Sequence, residues 1–329
     1  MRIGILTSGG DSPGMNAAVR SAVRTGTALG HRMFGVERGY AGLIDGKVIP
    51  LDNRAVGGII ERGGTMLHTA RSPAFMTAEG QERALATIGR EQLDAMIIVG
   101  GDGSLRGALC LEDHGVPTVG IPASIDNDVY GTSMAIGVDT ALNTVVDNIN
   151  RIRDTAISHE RAFVIEVMGR SSGYIGLMAG LAGGAEIVLI PEAPMKLDWI
   201  LQKVKEGLKR GKYHSIIVVA EGFVPEERDS QGEEPIGRTV SRFLEESGSI
   251  ETRLTILGHL QRGGSPTAFD RILACRLGAA ASKLLSDGNS GVMAAVQGQK
   301  LATVPLSKSG LPAENIDLEI YKLVYTLAN

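Results

Sequence analysis

Two acidic, glycine-flanked segments, Gly100-Gly101-Asp102-Gly103-Ser104 and Pro122-Ala123-Ser124-Ile125-Asp126-Asn127-Asp128, lie one α/β repeat apart in the 329-residue sequence. Carboxylates set beside bare backbone amides suit one chemistry in particular, the handling of a Mg²⁺-polyphosphate and the removal of a proton from an attacking hydroxyl. Each segment follows a short apolar run, Met96-Ile97-Ile98-Val99 and Thr118-Val119-Gly120-Ile121, that reads as a buried parallel strand. The stretch between them has room for a crossover helix. Both segments are therefore expected at the carboxyl ends of neighbouring strands, the edge at which open α/β sheets bind ligands. A third segment, Thr7-Ser8-Gly9-Gly10-Asp11-Ser12-Pro13-Gly14-Met15-Asn16, joins a first strand to a first helix. It places free amides at a helix N-terminus, where the dipole favours an anion.

The elements that must position these loops alternate between strand and helix. Apolar runs predict strands over Ile3 to Thr7, Met96 to Val99, Thr118 to Ile121, Ala162 to Met168, Ile187 to Ile190, Ser215 to Ala220, Arg253 to Leu257 and Val292 to Val296. Apolar residues recurring at three and four positions predict helices over Ala17 to Leu29, Thr140 to Arg153, Leu197 to Arg210 and Phe269 to Leu285. This alternation is the pattern of doubly wound α/β structure. Glycine, 44 residues, concentrates just after the strands, where a backbone must approach a ligand closely. The charged stretch Pro225 to Pro235, with Glu226-Glu227-Arg228-Asp229 and Gly232, reads as an exposed loop of low order with no catalytic part.

Composition excludes several classes. With 43% hydrophobic and 21% charged residues the chain can bury a large core, and its length points to two domains. A net charge of -4 speaks against a general nucleic-acid binder, so any anion site must be a local cluster. Two cysteines, Cys110 and Cys275, make neither a disulfide framework nor a metal site and read as reduced, buried thiols. No apolar run is long enough to span a membrane, and the first strand begins almost at Met1, leaving no room for a signal peptide, so the expected location is the cytoplasm.

Two common nucleotide signatures are missing. No G-x-x-x-x-G-K-[ST] loop occurs, and Gly101-x-Gly103-x-x-x-Gly107 carries one residue too many for the dinucleotide fingerprint, which disfavours a dehydrogenase. Six segments in order, Gly9 to Asn16, Arg62-Gly63-Gly64-Thr65, Gly100 to Ser104, Ile125 to Asp128, Val167-Met168-Gly169-Arg170 and Gly258-His259-Leu260-Gln261-Arg262-Gly263-Gly264-Ser265-Pro266, resemble those of the bacterial-type phosphofructokinases. The resemblance covers essentially the whole chain. It implies transfer of a phosphoryl group from a nucleotide to the C1 hydroxyl of fructose 6-phosphate. The fold it implies is two similar three-layer α/β domains with mostly parallel sheets and the active site in the cleft between them. Residues 1–137 plus about 261–310 would form the larger nucleotide-binding domain, and residues 138–260 plus about 311–329 the smaller sugar-phosphate-binding domain. The assembly implied is a homotetramer.

The same resemblance assigns roles. Asp126 takes the general-base position, which is chemically apt because the alcohol loses its proton as it attacks. Asp102 would hold Mg²⁺, directly or through water, with Asp128 shaping the charge field. Gly10, Gly101, Gly103, Ser104 and Gly107 would let the nucleotide phosphates lie against backbone amides, flanked by Tyr40, Arg71 and Ser72. Arg161, Arg253, His259 and Arg262 would bind the sugar 6-phosphate, Arg161 and Arg253 reaching in from a neighbouring subunit, and guanidinium forks suit that task. Arg170, with Arg71, would steady the transferring group, while Ser124, Met168, Gly169 and Glu221 would line the sugar. An isolated subunit would then lack a complete site.

Gly103 and Ala123 decide the expected donor. Pyrophosphate-using relatives carry Asp and Lys at these positions, so the small residues here would leave space for an adenosine α-phosphate and favour ATP. Arg20 and Arg24, four apart on the first helix, together with Arg153, Gly184, Ala185, Glu186, Arg210 and Lys212, match the family's effector site for ADP or phosphoenolpyruvate. Asn53 replaces one family arginine, with Arg54 next to it, so an altered effector response is expected. Two other readings stay open: a pyrophosphate-dependent or mixed-donor kinase, and a catalytically silent sugar-phosphate or nucleotide sensor. The retention of Asp102, Asp126 and Arg170 weighs against the last.

Overall fold

The first strand carries Ile3, Ile5 and Leu6, none of them exposed, and the rest of its unit is arranged to cover both its faces. In the computed structural model, which describes residues 1–227, 232, 234–313 and 316–328, the chain divides into two units. One comprises Met1–Thr140 with Arg262–Glu314, the other Ala141–Gln261 with Asn315–Asn329. Eleven strands occur among the described residues: β1 (Arg2–Ser8), β2 (Arg32–Val36), β3 (Val48–Leu51), β4 (Ala95–Gly100), β5 (Thr118–Pro122), β6 (Ala162–Val167), β7 (Ile187–Leu189), β8 (Ser215–Ala220), β9 (Thr252–Ile256), β10 (Val292–Gln297) and β11 (Lys300–Pro305). The helices are α1 (Met15–Ala28), α2 (Gly39–Asp45), α3 (Ala78–Arg90), α4 (Asp102–Asp113), α5 (Val138–His159), α6 (Tyr174–Ala182), α7 (Leu197–Lys209), α8 (Ile236–Gly248), α9 (Ala268–Ser286) and α10 (Leu318–Leu327).

The first unit is a seven-stranded sheet in the order β11-β10-β5-β4-β1-β2-β3. Its five central strands are parallel, and β3 and β11 close the two edges antiparallel. Period-two alternation sends Ile3, Ile5, Ile97, Val99, Val119 and Ile121 to a core shared with α1 and α9. Leu6, Met96 and Ile98 face the opposite core, under α2, α3 and α4. Helices α1 and α9 approach so closely that a Cβ at Gly278 would stand 2.5 Å from the Ala18 carbonyl oxygen. Ser21 Oγ donates to Cys275 O at 2.6 Å and Ser282 Oγ to Ala22 O at 2.8 Å across the same seam. Both cysteines are free, and burial pushes both thiols up.

The second unit has four parallel strands in the order β7-β8-β6-β9. Val164, Ile217 and Val219 pack one face against α7 and α8, and α6 packs on β7 and β8. Tyr325 fixes the terminal helix α10, its hydroxyl donating to Val188 O at 2.7 Å and its ring meeting Trp199 edge-on. Among the described residues no helix is long and apolar enough to cross a membrane.

The eight strands expected from apolar runs are present, and β2, β3 and β11 join them. Their sequences explain why the runs do not announce them. Gly35 interrupts β2, Pro50 sits within the four residues of β3, and β11 exposes most of its side chains. Proline and polar residues are tolerated in strands that lie at a sheet edge. The expected loop from Pro225 to Pro235 falls partly on residues 228–231 and 233, which lie outside the described residues.

One buried carboxylate organises the turn into α5. Asp270, on α9 and fully buried, accepts from Gly137 N at 2.9 Å, Thr140 N at 2.8 Å and Thr140 Oγ1 at 2.6 Å. An acid at a helix N-terminus also suits the dipole. Replacing Asp270 by Ala strands these donors, so Asp270→Ala is expected to lower stability by about 2–5 kcal/mol. Asp270→Asn, which keeps one acceptor, should lose less; urea unfolding of the two variants checks the order.

Candidate active site

In the first unit β1 and β4 are neighbours whose chains continue in opposite directions across the sheet, β1 to β2 and β4 to β5. A crevice at such a reversal is where open α/β sheets bind ligands. The register pairs Thr7 with Val99 and Ser8 with Gly100, so the loop from Gly9 and the loop from Gly101 leave the sheet side by side. A Cβ at Gly9 would lie 3.2 Å from Ser104 Oγ. Thr69 Oγ1 donates to Gly9 O at 2.7 Å, and Thr7 Oγ1 donates to His68 O at 2.8 Å, which brings the segment ending in Arg71 and Ser72 to the same loop. Arg71 is exposed, and Ser72 Oγ is buried without a partner among the described residues. The guanidinium of Arg262 lies against Gly10, and its Nη1 donates to Asp11 O at 3.2 Å.

Asp102 is the first residue of α4. Its Oδ2 meets Arg106 Nε at 3.3 Å, and its Oδ1 accepts from Gly310 N. Among the described residues no group of three or more His, Cys, Asp or Glu side chains could hold a metal. This donor set fits Mg²⁺, which keeps most of its water and takes one or two protein carboxylates with substrate phosphates. Gly103 is open: a Cβ there would meet nothing nearer than Arg106 Nη2 at 4.0 Å. Tyr40 differs from expectation. It is 5% exposed, stacked on Phe75 at 4.2 Å, and donates from its hydroxyl to Ser104 O at 2.7 Å. Its ring packs against Gly107, and burial raises its phenol well above the usual value. Tyr40 thus supports the α4 turn from beneath instead of offering a free face to a nucleotide.

The third loop follows β5. Asp126 is 2% exposed, and its N–H donates to Ser124 Oγ at 3.3 Å, while Ser124 Oγ donates to Asp128 Oδ1 at 2.9 Å. Asn127 between the two acids has φ 48, a left-handed conformation that Asn tolerates. Its Oδ1 accepts from Ala135 N at 3.0 Å, which fixes the loop. Ala123 departs from the expectation of an open position. It continues the alternation of Val119 and Ile121 and turns its methyl into the core, 1% exposed. The steric argument about the donor therefore rests on Gly103 alone.

In the second unit β6, β8 and β9 end together. Gly169 N and Arg170 N donate to Glu221 Oε1 at 3.2 Å and 2.8 Å. Arg170 has φ 53 and Gly169 φ 147, where a Cβ would collide with the Ser172 carbonyl. Arg170 and Glu221 line a cavity of about 680 Å³ together with Glu166 and Phe223. Met168 is half-buried at the same edge, and exposed His259 follows β9 there. Arg161 and Arg253 lie at the other edge, before and at the start of β6 and β9. A strand of six residues is roughly 20 Å long, so within one chain they do not join Arg170. They meet each other instead through Glu251, whose Oε1 lies 2.9 Å from Arg161 Nη2 and 2.7 Å from Arg253 Nη2. The Arg161 hydrogen bond holds the Glu251 carboxyl below its ordinary range. No spacing in the sequence signals Glu251; only the register that pairs Ala162 with Thr252 brings it to Arg161.

The candidate effector residues fall in two groups. Arg153, Gly184, Glu186, Arg210 and Lys212 come together in the second unit: Lys212 Nζ is 2.8 Å and Arg153 Nη1 3.7 Å from Glu186 Oε1, Arg153 Nη2 donates to Gly184 O at 2.7 Å, and Arg210 and Lys212 line one small cavity with Glu186. Arg20 and Arg24 belong to the first unit, where Arg24 Nη2 donates to the backbone carbonyl of Asn53 at 3.4 Å.

The family model described as Phosphofructokinase matches residues 2–285 of this chain. The chain belongs to the phosphofructokinase family. Over 328 residues, 99% of both chains, it is 50% identical to the ATP-dependent 6-phosphofructokinase of Thermotoga neapolitana. Over 322 residues, 98% of both, it is 50% identical to that of Bacillus subtilis. Among solved structures it superposes on phosphofructokinase from Saccharomyces cerevisiae with a TM-score of 0.87 at 35% identity, covering 99% of this chain. It spans 48% of that longer yeast chain.

Glu166 lines the same cavity, and nothing in the sequence suggests it. Set in β6 and 7% exposed, it accepts from Gly237 N at 2.7 Å at the start of α8. Burial first, and the nearby Glu221 charge, push its carboxyl up. A raised folded-state value means that its favourable contribution is present below the unfolded value and is lost as the pH rises through the raised one. Glu166→Gln keeps the acceptor without the charge. Its melting temperature should exceed that of the unaltered protein at about pH 8 and converge with it at about pH 4; a difference independent of pH would show that the charge is not the cause.

Proposed function

We infer that this chain is an ATP-dependent 6-phosphofructokinase, transferring the γ-phosphoryl group of MgATP to the C1 hydroxyl of fructose 6-phosphate to give fructose 1,6-bisphosphate and ADP. The observation that carries the reading is Asp126, a buried carboxylate in the loop after β5, beside the glycine loops of β1 and β4, in a chain half identical to enzymes of that name along its whole length. Asp126 takes the proton of the C1 hydroxyl as it attacks. The amides of Gly10, Gly101, Gly103 and Ser104 receive the nucleotide phosphates at the start of α4, with Arg71 and Ser72 alongside; the unpartnered Ser72 Oγ supports a polar ligand there. Mg²⁺ bound with the nucleotide supplies charge neutralisation at the phosphates, and Asp102, with Asp128 as the further carboxylate, is the residue suited to hold it. Arg170, its backbone held by Glu221, offers a guanidinium to the charge that builds on the transferring group. Ser124, Met168, Gly169 and Glu221 line the sugar, and His259 and Arg262 bind its 6-phosphate.

The placement of Arg161 and Arg253 at the amino edge of their sheet supports their service to the site of a neighbouring copy, hence a homotetramer with shared active sites. Arg20, Arg24, Arg153, Gly184, Glu186, Arg210 and Lys212 serve an effector site for ADP or phosphoenolpyruvate at an interface between subunits, with a response altered by Asn53. The enzyme works in the cytoplasm.

The test supplies purified protein with fructose 6-phosphate and Mg²⁺, with ATP and pyrophosphate in separate reactions. Turnover is expected with ATP, and Asp126→Asn should lower kcat by about 10²- to 10⁴-fold. Turnover with pyrophosphate would overturn the donor assignment, and none with either would leave a sugar-phosphate or nucleotide sensor.

A further inference from the structure

We propose that Gln261 is a positioning residue for the sugar-phosphate site, its side-chain amide standing in for a missing rung of the sheet. The inference rests on the reading above. Strands β6 and β9 run parallel and pair through Glu166 and Ile256, and the next bond, Leu257 N to Glu166 O, is still a regular rung at 3.0 Å. Parallel pairing would continue with Met168 N donating to the carbonyl of Leu257. That bond is not made. The chain turns at Gly258, φ 47, into the short helical turn Gly258–Arg262, and the Leu257 carbonyl accepts instead from Leu260 N at 3.3 Å. Met168 N donates to Gln261 Oε1 at 3.3 Å, and Gln261 Nε2 donates to Gly258 O at 3.0 Å. Gln261 is fully buried.

A primary amide is required because one atom must accept and the other donate at the same time. With it, the turn that carries His259 leaves the sheet while the end of β6 stays tied to it. On its other side the same segment is held by Glu221, which accepts from Gly169 N and Arg170 N. The left-handed pair Gly169 and Arg170 is thus clamped between β8 and the turn after β9, and both clamps act on backbone that presents sugar-binding groups. Gln261 itself touches no reacting atom.

Gln261→Met has nearly the same length and makes neither bond; Gln261→Glu keeps the acceptor and regains a donor only when protonated. With the unaltered enzyme turning over ATP and fructose 6-phosphate, Gln261→Met is expected to raise KM for fructose 6-phosphate by about tenfold, the equivalent of one buried hydrogen bond, and to leave KM for ATP within about twofold. Amide exchange at Met168 should quicken in the same variant, a readout independent of turnover. In Gln261→Glu, KM for fructose 6-phosphate should fall back towards that of the unaltered enzyme as the pH is lowered from about 8 to about 6, because full burial at this position favours the protonated carboxyl. Unchanged KM values with only a lower melting temperature, or an equal rise in both KM values, would overturn the proposal and leave the reading intact. Absence of turnover by the unaltered enzyme would overturn the reading and this proposal with it.

Discussion

The structure depends on a parallel sheet that is buried on both faces. Once Ile3, Ile5, Ile97 and Val99 are committed to one core and Leu6, Met96 and Ile98 to the other, neither face of the sheet can meet a ligand. Backbone amides become available only where strands stop, and a parallel arrangement makes all of them stop at the same edge. The pairing of Ser8 with Gly100 is therefore what sets two glycine loops and the start of α4 next to each other. Helix α4 begins at Asp102, so the residue nearest its free amides carries a charge of its own, and Arg106 one turn later balances it.

The second unit uses both edges of its smaller sheet. The carboxyl edge gathers Arg170, Glu221 and His259, with backbone held in left-handed conformations by Glu221. The amino edge gathers Arg161 and Arg253 around Glu251. That exposed cluster adds little stability, since solvent screens it, and its consequence is geometric: two guanidinium groups are held within reach of a single carboxylate-sized acceptor. One chain thereby gathers guanidinium groups at both edges of the same sheet.

Buried carboxylates divide by what they accept from. Asp270 and Glu166 each receive backbone N–H groups at the beginning of a helix, α5 and α8, and their desolvation is offset by donors that would otherwise be stranded. Asp126 lies instead among loop residues at a sheet edge, tied through its own N–H to Ser124. Burial is common to all three; their position relative to the strand ends and helix starts is not.

The sequence by itself determined the parallel strands and the family, because both are written in local runs: β-branched stretches of one strand length, and glycine loops whose spacing repeats along the whole chain. Strand β2 and the edge strands β3 and β11 were not legible, since Gly35, Pro50 and exposed side chains erase the pattern that burial imposes elsewhere. Among the candidate residues, local sequence also fixed which loop each belongs to. Only the tertiary structure decided which way a side chain turns and what it meets. Ala123 enters the core because it keeps the alternation of β5, Tyr40 lies under α4 because Phe75 and Ser104 hold it, and Glu251 and Gln261 find Arg161 and Met168 some 90 residues away in sequence. Register and burial are properties of the assembled sheet, and no single segment contains them.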